Sequence, residues 1–355
     1  METLSHYSVT LLLSGLTFLM IYKPFCLMAN KLGLVDIPNQ RKKHEGAIPL
    51  IGGILIFVSS TAGLIFSTAV SLFDPYLQMV VGAGGALLLV GIIDDRFDVS
   101  ALLKLIMQFI LAHIAIVNGF RIGSFYGILG IYELTEVASY IVTLLAVVGF
   151  VNAFNLMDGI DGLAGSFALL SVVIMAWVAF YLVQSSAFVV LLSLCIPLIL
   201  FLKYNLKEKK KIFMGDAGSL FLGFLIIITS IRLINAAAPL NKGMDFIALI
   251  LSIVALPIMD SIRVYLLRIN KGRSPFAADR THLHHLFLKS GYTPKKSTFY
   301  IISLTLLVLI IVVLNNENTS INGLLIAMVL GFVTLISLLR YGAYMKEWTE
   351  KIKKL

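Results

Sequence analysis

Long apolar segments separated by short polar ones dominate the pattern of this chain. Eleven such segments run approximately over residues 7–22, 50–70, 76–93, 101–117, 137–151, 163–183, 187–202, 217–234, 246–266, 298–314 and 322–340. A transmembrane helix needs about 20 mostly apolar residues, and somewhat fewer where flanking side chains snorkel. Each segment is therefore predicted to span a membrane as a helix. An odd number of spans places the two termini on opposite sides.

Composition supports the same prediction. Of the 355 residues, 59% are hydrophobic and 13% are charged, whereas about a quarter of the residues in a soluble domain are charged. The mean hydropathy is +0.96. We therefore predict an all-α polytopic integral membrane protein of about eleven helices, with residues 1–355 forming a single transmembrane domain.

The basic residues predict the orientation of the chain. Of the 28 Lys and Arg residues, only Arg121, Arg232 and Lys242 lie on one side of the predicted membrane. The positive-inside rule assigns the other, Lys- and Arg-rich side to the cytoplasm. This predicts an outside N-terminus and a cytoplasmic C-terminus. The net charge of +9 is then a topology signal and an attraction to anionic lipids, so no nucleic-acid partner is expected.

Acidic, amide and histidine side chains concentrate at the predicted cytoplasmic ends of the spans. Polar groups are costly near hydrocarbon, so such clusters need a functional or structural reason. Their position suits a site that meets soluble substrates at the inner membrane surface. We expect the cytoplasmic loops at about 23–48, 94–100, 152–162, 203–216 and 267–297 to form it.

Two adjacent carboxylates end the third span. Asp94 and Asp95 repel each other, so a cation or a bound proton is expected between them. The pair could hold Mg²⁺ or accept a proton from an attacking group. Lys104, about three helical turns further on, could face the pair and bind an anion. The simpler alternative is an acidic helix end in water.

A second cluster lies between the fifth and sixth spans, where Asn152, Asn155, Asp158 and Asp161 recur every three residues. On a continuous helix these side chains would form one polar stripe. Oxygen donors of this kind suit Mg²⁺ and sugar or ribose hydroxyls. The alternative is a capped, solvated loop.

Asp216 opens the eighth span, within Gly215-Asp-Ala-Gly-Ser219. It could simply cap the helix, or it could bind a metal or a diphosphate, because a helix N-terminus attracts anions.

Histidine and basic residues form the remaining candidates. The run Arg280-Thr-His282-Leu-His284-His285, together with Arg273, suits anion binding or acid–base work near neutral pH. Its alternative is a solvated basic loop. Lys43 in the first loop could contact phosphate or serve only as a topology signal, whereas Lys209, Lys210 and Lys211 are interpreted as topology and lipid contacts.

The combination resembles the polyprenyl-phosphate N-acetylhexosamine-1-phosphate transferase family. The resemblance covers residues of about 20–295 and includes the number of spans and the outside N-terminus. It rests on these motifs: Asp94-Asp95, Asn152-Ala-Phe-Asn155-Leu-Met-Asp158-Gly-Ile-Asp161-Gly, Phe213-Met-Gly-Asp216-Ala-Gly-Ser, His282-Leu-His284-His285, and the first-loop pattern Val35-Asp-Ile-Pro38-Asn to Gly52-Gly53. The His-x-His-His form and Arg273-Ser-Pro-Phe276 are similar to the bacterial branch that uses UDP-N-acetylglucosamine.

The resemblance implies an enzyme of the bacterial cytoplasmic (inner) membrane whose active site faces the cytoplasm. It would transfer N-acetylglucosamine-1-phosphate from UDP-N-acetylglucosamine to undecaprenyl phosphate and release UMP, as the first membrane step of a cell-envelope polysaccharide. Mg²⁺ is the implied cofactor, with Mn²⁺ as an alternative ion, and the family implies a homodimer surrounded by membrane lipids.

The resemblance also implies roles for individual residues. Asp216 is the implied metal ligand. The implied catalytic residues are Asp94, Asp95, Asp158, Asp161 and His282. The implied substrate-binding residues are Lys43, Lys104, Asn155, Phe213, Arg273, Arg280, His284 and His285, with Phe213 stacking on uracil.

Other functions remain open on the sequence. Another UDP-N-acetylhexosamine, or UDP-N-acetylmuramoyl-pentapeptide, could be the donor, although Leu283 interrupts the three consecutive histidines of the pentapeptide branch. A secondary transporter or lipid flippase would also be polytopic. Transporters place ionisable groups near the membrane midplane, whereas the acidic clusters here lie at one face.

Overall fold

A computed structural model of the chain describes residues 2–37, 46–65, 67, 71, 73–240, 243–274, 281–314 and 320–352. It confirms the all-α polytopic prediction. In these residues the α-helices are α1 Glu2–Leu32, α2 Gly52–Ile65, α3 Pro75–Gln78, α4 Gly84–Phe97, α5 Ala101–Val117, α6 Glu136–Met157, α7 Leu163–Tyr181, α8 Ser185–Asn205, α9 Gly215–Ala237, α10 Gly243–Ile269, α11 Leu283–Lys289, α12 Pro294–Leu314 and α13 Ile321–Ile352. A π-helical turn, Met79–Ala83, joins α3 to α4.

Helices occupy all eleven predicted segments, although two of these helices are shorter than the candidate spans. Within the described ranges, nine helical units are long and apolar enough to cross a membrane, and α3, the π-turn and α4 together form one of them. The shorter apolar helices α2 and α5 occupy the two remaining predicted segments. Helix ends differ from the predicted edges, since α1 and α13 continue to Leu32 and Ile352. Hydropathy does not register where a helix extends into water. The orientation of the termini stays a prediction.

Helix α9 lies at the centre of the bundle. It is the most buried of the candidate spans, with 89% of its apolar window inside the protein. Small residues let its first turn approach two neighbours closely: a Cβ on Gly53 of α2 would lie 2.2 Å from the Cα of Gly218, and one on Gly91 of α4 would lie 2.3 Å from the amide nitrogen of Ala217. Membrane helices use such small residues to bring backbones into contact. The start of α9 is therefore held rigidly against α2 and α4.

A short antiparallel ladder ties the first polar loop to the segment that precedes α9. Strand β1, Val35–Asp36, pairs with β2, Ile48–Pro49. Phe213 continues the pairing, since its N–H donates to Pro49 at 2.9 Å and its carbonyl accepts from the amide of Gly52 at 2.9 Å. The sequence pattern did not predict this ladder. The ladder fixes the backbone of Phe213, three residues before Asp216.

Candidate active site

Four neighbouring helices bring polar side chains to the same end of the bundle. Asp94 lies in the last turn of α4, and Lys104 in the first turn of α5. Asn155 lies in the last turn of α6, and Asp216 in the first turn of α9. The end of one helix thus meets the start of the next, as expected for antiparallel neighbours joined by short loops. The structure brings these four predicted residues together.

Lys104 is the centre of the cluster. Its Nζ lies 2.6 Å from Oδ2 of Asp94 and 3.1 Å from Oδ2 of Asp216. Asn155 donates through Nδ2 to the same Asp216 oxygen at 3.3 Å. The other Asp94 oxygen accepts from the amide of Val99 at 2.8 Å. Lys104 thus faces Asp94 of the predicted Asp94–Asp95 pair, but its second partner is Asp216 rather than Asp95. Its ammonium compensates the charge of two carboxylates that would otherwise repel each other.

Asp95 has a different environment from its neighbour. Its two carboxylate oxygens accept from the backbone amides of Asp216 at 2.9 Å and Ala217 at 3.2 Å. These amides belong to the first turn of α9, where N–H groups lack intrahelical partners. Asp95 therefore caps α9 from another helix. The alternative in which Asp216 caps its own helix is wrong, since its side chain is left to face Lys104.

Gly215 makes this cap possible. Its φ of +73° lies in the left-handed region that favours glycine,. A Cβ at this position would also lie 2.4 Å from Oδ2 of Asp95. Glycine therefore permits both the turn into α9 and the close approach of the capping carboxylate.

The predicted polar stripe is wrong beyond residue 157. Helix α6 ends at Met157, and Asp158 is its C-cap with φ −74° and ψ 47°. A turn over residues 158–162 then leads into α7. Within α6, Asn152 pairs with Gln108 of α5 rather than with the acidic cluster. Of the two amides, only Asn155 reaches Asp216, because Asn152 lies about one helical turn earlier in α6.

The side chain of Asp158 interacts electrostatically with the carboxylates of the cluster. Withdrawal from water, followed by the negative charges of Asp216, Asp95 and Asp161, raises the pKa of Asp158 to about 7. A carboxyl in such surroundings exchanges protons readily near neutral pH. A bound cation would oppose this shift, because it favours the ionised form.

Asp161 lies near the other end of the same turn. It pairs with Lys211, which the sequence predicted to be only a topology signal and a lipid contact. Its carboxylate forms a salt bridge with Lys211, and its carbonyl accepts from Oγ1 of Thr298 at 2.8 Å. Lys211 Nζ also lies 5.2 Å from the ring centroid of Phe213. Lys211 therefore contacts two of the predicted site residues, Asp161 and the aromatic residue predicted to contact uracil. Position alone within a Lys run gave no signal for this role.

The histidine motif lies beside this turn. His282 and His284 are buried, and His285 is partly buried. Their rings are arranged in series, with centroids 6.2 Å apart between His282 and His284 and 4.2 Å apart between His284 and His285. Burial, then the neighbouring His285 and His282, lowers the pKa of His284 to about 3. His284 is therefore neutral near pH 7.

His284 connects the motif to the acidic turn. A Cβ built on Gly159 would lie 2.3 Å from Nε2 of His284, so the imidazole ring rests directly on the backbone of the Asp158–Gly162 turn. Glycine at this position is required by the ring, which explains one glycine of the motif. The His-x-His-His segment and the acidic turn thus form one continuous surface.

Two residues missed by the sequence reading support His282. Asp260 of α10 has Oδ2 3.0 Å from Nδ1 of His282, and Arg263 Nη2 lies 2.6 Å from the other Asp260 oxygen. The available signal was an acidic residue inside an apolar span, which is a functional candidate by default. Asp260 was not recognised because the predicted span at 246–266 that contains it has a high mean hydropathy.

The remaining predicted residues lie outside this network or outside the described ranges. Arg273 is exposed just after α10, where its amide donates to the carbonyl of Arg268 at 2.9 Å. Lys43 and Arg280 fall outside the described residues. Their phosphate-binding roles stay predictions.

A magnesium ion fits the donor chemistry at Asp216. In the described part of the chain, no three His, Cys, Asp or Glu side chains are grouped as a complete ligand set. Mg²⁺ does not need one, since it usually binds one or two carboxylates and completes its shell with water and substrate phosphates. The side chain of Asp216 is 30% exposed, against 8% for Asp94, so Asp216 is the more accessible carboxylate. The Asp216 assignment stays a prediction.

Comparison with known proteins identifies the family. Residues 77–234 match the model of Glycosyl transferase family 4, a range that includes Asp94, Lys104, Asn155, Asp158 and Asp216. An undecaprenyl-phosphate alpha-N-acetylglucosaminyl 1-phosphate transferase of Yersinia pestis is 36% identical over 310 residues, covering 85% of this chain and 81% of that protein. The protein of the same name from Escherichia coli K12 is 34% identical over 284 residues, covering 78% and 75%.

Another bacterium also has a similar protein. A probable undecaprenyl-phosphate N-acetylglucosaminyl 1-phosphate transferase of Bacillus subtilis is 32% identical over 309 residues, covering 84% of this chain and 82% of that protein. These matches extend well beyond the acidic cluster and include most of the bundle. The chain therefore belongs to glycosyl transferase family 4, among the polyprenyl-phosphate N-acetylhexosamine-1-phosphate transferases.

Proposed function

We propose that this protein transfers N-acetylglucosamine-1-phosphate from UDP-N-acetylglucosamine to undecaprenyl phosphate and releases UMP. The observation that carries the proposal is the ammonium of Lys104 between Asp94 and Asp216 at one end of the membrane helices. A lipid phosphate can reach this end from the bilayer, and a nucleotide sugar can reach it from solution. The names of the similar enzymes supply the lipid and the sugar.

The proposed reaction is a phosphoryl transfer. An oxygen of the lipid phosphate attacks the β-phosphorus of the nucleotide sugar and forms a new P–O bond. The bond from the β-phosphorus to the bridging oxygen breaks, and UMP leaves with that oxygen. Such a reaction depends mainly on positioning and on charge neutralisation. The cluster offers fixed groups for both tasks.

We assign the attacking side to Asp94 and Lys104. Lys104 can contact a phosphate oxygen while Asp94 orients its ammonium, and Asp94 can accept a proton if the lipid phosphate arrives as a monoanion. Asp95 acts through the backbone of α9, which it caps. Asp95 thereby orients Asp216.

We assign the nucleotide side to the turn at Asp158–Gly162 and to the adjacent residues. Phe213 offers a ring for uracil, and Lys211 lies close enough to reach a phosphate oxygen. Asp158 holds or releases a proton near neutral pH, as its pKa of about 7 indicates. His282 and His284 face the diphosphate and sugar in this assignment.

Mg²⁺ is the proposed cofactor. Asp216 would hold it, with Asn155 beside the same carboxylate oxygen. When bound, the ion would polarise phosphate oxygens and neutralise charge on the leaving group. The donor set supports Mg²⁺, with Mn²⁺ as an alternative, because carboxylate and amide oxygens suit hard cations.

We further propose that the protein resides in the bacterial inner membrane with this site facing the cytoplasm. The distribution of Lys and Arg supports the orientation, since all but three of the 28 basic residues would be cytoplasmic. The product would start a cell-envelope polysaccharide. The homodimer that we propose rests on the family resemblance alone.

A membrane assay with a panel of donors tests the proposal. Membranes containing the protein would be supplied with undecaprenyl phosphate, Mg²⁺, and either UDP-N-acetylglucosamine, another UDP-N-acetylhexosamine or UDP-N-acetylmuramoyl-pentapeptide. Lipid-linked product and UMP should form in equal amounts with UDP-N-acetylglucosamine. Asp216→Asn should abolish both, whereas Asp245→Asn, an exposed residue at the opposite end of α10, should leave both unchanged. Absence of lipid product with every donor would refute the proposal.

A further inference from the structure

Asp260 is surrounded by hydrogen-bond donors on three sides. Arg263 donates to Oδ1 through Nη2 at 2.6 Å and Nε at 3.2 Å. The amide of Leu283 lies 3.1 Å from each carboxylate oxygen. Nδ1 of His282 lies 3.0 Å from Oδ2. Both oxygens are thus engaged by N–H groups, and the side chain, 13% exposed, binds as a carboxylate.

Arg263 extends the same network to the histidine segment. Its Nη2 also donates to the carbonyl of Thr281 at 2.6 Å. Asp260 and Arg263 therefore hold three consecutive residues, Thr281, His282 and Leu283, against α10. The backbone of the His-x-His-His motif is fixed at the point where it enters α11.

This arrangement determines how the imidazole of His282 is oriented. An ionised carboxylate only accepts hydrogen bonds, so Nδ1 of His282 must carry the proton. Nε2 is then the nitrogen available to other groups. It is buried and has no hydrogen-bond partner within the described residues, and a buried polar atom of this kind needs an explanation. A phosphate group of a substrate would provide one.

We propose that Asp260 and Arg263 form a brace that fixes Nδ1 of His282 toward the carboxylate and so presents Nε2 to the phosphate groups of the substrates. The inference rests on the proposed function, in which His282 contacts the diphosphate. Asp260 is a positioning residue, because it acts through His282. Its geometry is that of a carboxylate that orients a histidine by binding its second nitrogen.

The brace also explains how the motif meets the acidic turn. Two residues after His282, the ring of His284 rests on Gly159. A shift of the Thr281–Leu283 backbone would therefore move His284 against the turn that carries Asp158. Fixing this backbone to α10 keeps both histidines in register with the acidic residues.

Asp260→Asn tests the brace with nearly unchanged volume. An amide offers one acceptor oxygen and an NH₂ donor, so its nitrogen must face Arg263, Leu283 or Nδ1 of His282. We expect kcat/KM to fall by about 10- to 100-fold, the usual cost of losing a partner that orients a histidine. Asp245→Asn in the same helix is the matched control. Arg263→Lys is the second variant if Asp260→Asn does not fold, since it keeps the charge and loses the two-point contact.

A double-mutant cycle separates positioning from simple structural support. In a His282→Gln background, Asp260→Asn should cost less than about threefold, because the group through which it acts is already gone. A structural defect would reduce activity by a similar factor in both backgrounds. Losses that multiply, or more than half of wild-type kcat/KM in Asp260→Asn, would overturn the proposal.

A spectroscopic measurement tests the brace without relying on turnover. The chain has six histidines, and ¹⁵N-histidine labelling with His282→Gln as the assignment reference would identify the His282 nitrogens. We expect a protonated Nδ1 in the wild type and an altered Nδ1 shift in Asp260→Asn. An unprotonated Nδ1, or identical shifts in both proteins, would overturn the brace. If the wild type itself makes no lipid product, the proposed function fails and this measurement alone decides the brace.

Discussion

Gly91 controls the distance between α4 and the first turn of α9, and Gly91→Ala is a sharp perturbation of the site. The added Cβ would lie 2.3 Å from the amide nitrogen of Ala217, 2.4 Å from its Cα and 2.5 Å from the carbonyl carbon of Asp216. Ordinary van der Waals contact begins at 3.4 Å, so these backbone atoms would have to separate by about 1 Å. No side chain can rotate away, because every close atom belongs to the backbone.

A displacement of this size would break the cap that orients Asp216. The amides of Asp216 and Ala217 lie 2.9 and 3.2 Å from the Asp95 oxygens, so an added 1 Å would exceed hydrogen-bond distance for both. Overpacking of this kind costs about 1–3 kcal/mol in stability. A 1 Å displacement of reacting groups can cost about 100-fold in rate. We expect activity to fall by about 100-fold in a protein that still inserts.

The assay is lipid-product formation by membranes normalised to the amount of inserted protein, with thermal unfolding in detergent measured in parallel. Gly149→Ala is the matched control, because Gly149 lies inside α6 and a Cβ there has no neighbour within 4 Å. The control should keep wild-type activity. Transfer by Gly91→Ala within threefold of the wild type would refute the argument that Asp95 and the start of α9 set the geometry of Asp216.

Three further predictions follow from other contacts of the site. Lys104→Gln leaves Asp94 and Asp216 without their shared cation. The initial rate of lipid-product formation should therefore fall by about 100- to 1,000-fold. A rate above one tenth of the wild-type rate would contradict this prediction. Gly159→Ala should reduce the rate at least about tenfold in the same assay, since its Cβ would displace the His284 ring, and an unchanged rate would exclude that contact. Because the pKa of His284 is held at about 3, below its ordinary value of about 6.5, the unfolded state binds an additional proton between these values. The stability from neutral His284 is full above pH 6.5 and is lost as pH falls, by about 1.4 kcal/mol per pH unit. The raised pKa of Asp158 contributes a slope of opposite sign, so the test compares two proteins. In chemical denaturation in detergent, the slope of the free energy of unfolding against pH should be smaller in His284→Gln than in the wild type by about that amount, and equal slopes would contradict the prediction.

The pattern of the sequence was sufficient for the spans and for much of the cluster. Apolar length predicted the nine helical units of the described residues that are long enough to cross a membrane, because the bilayer imposes a minimum length on each. The alternation of helix direction then placed Asp94, Lys104, Asn155 and Asp216 at the same end. These residues lie at helix ends beside short loops, where local spacing and topology together determine position.

Contacts between distant segments were not accessible in the same way. Asp95 and Asp94 are adjacent and chemically identical, yet one caps α9 and the other pairs with Lys104. The difference follows from which side of α4 faces α9, and one sequence does not specify that rotation. The three-residue spacing of the amides and acids suggested a helix, but the turn after Met157 redirected Asp158 and Asp161.

Residues inside apolar spans were the hardest to recognise. Asp260 and Arg263 are three residues apart in α10, and their average contribution to hydropathy is small beside that of the surrounding Leu, Ile and Val. Their role in the candidate site depends on contact with His282, which lies 22 residues after Asp260 in the chain. Lys211 is likewise one of three consecutive lysines, and its salt bridge with Asp161 distinguishes it from the other two.

The central claim is that this site moves a phosphoryl group together with the sugar. The most direct measurement follows UDP-N-acetylglucosamine labelled with ³²P at the β-phosphate and with ¹⁴C in the sugar, incubated with the purified protein, Mg²⁺ and undecaprenyl phosphate. We predict that both labels enter the lipid in a one-to-one ratio and that unlabelled UMP is released. Lipid that carries ¹⁴C without ³²P, with ³²P-labelled UDP in solution, would contradict the account.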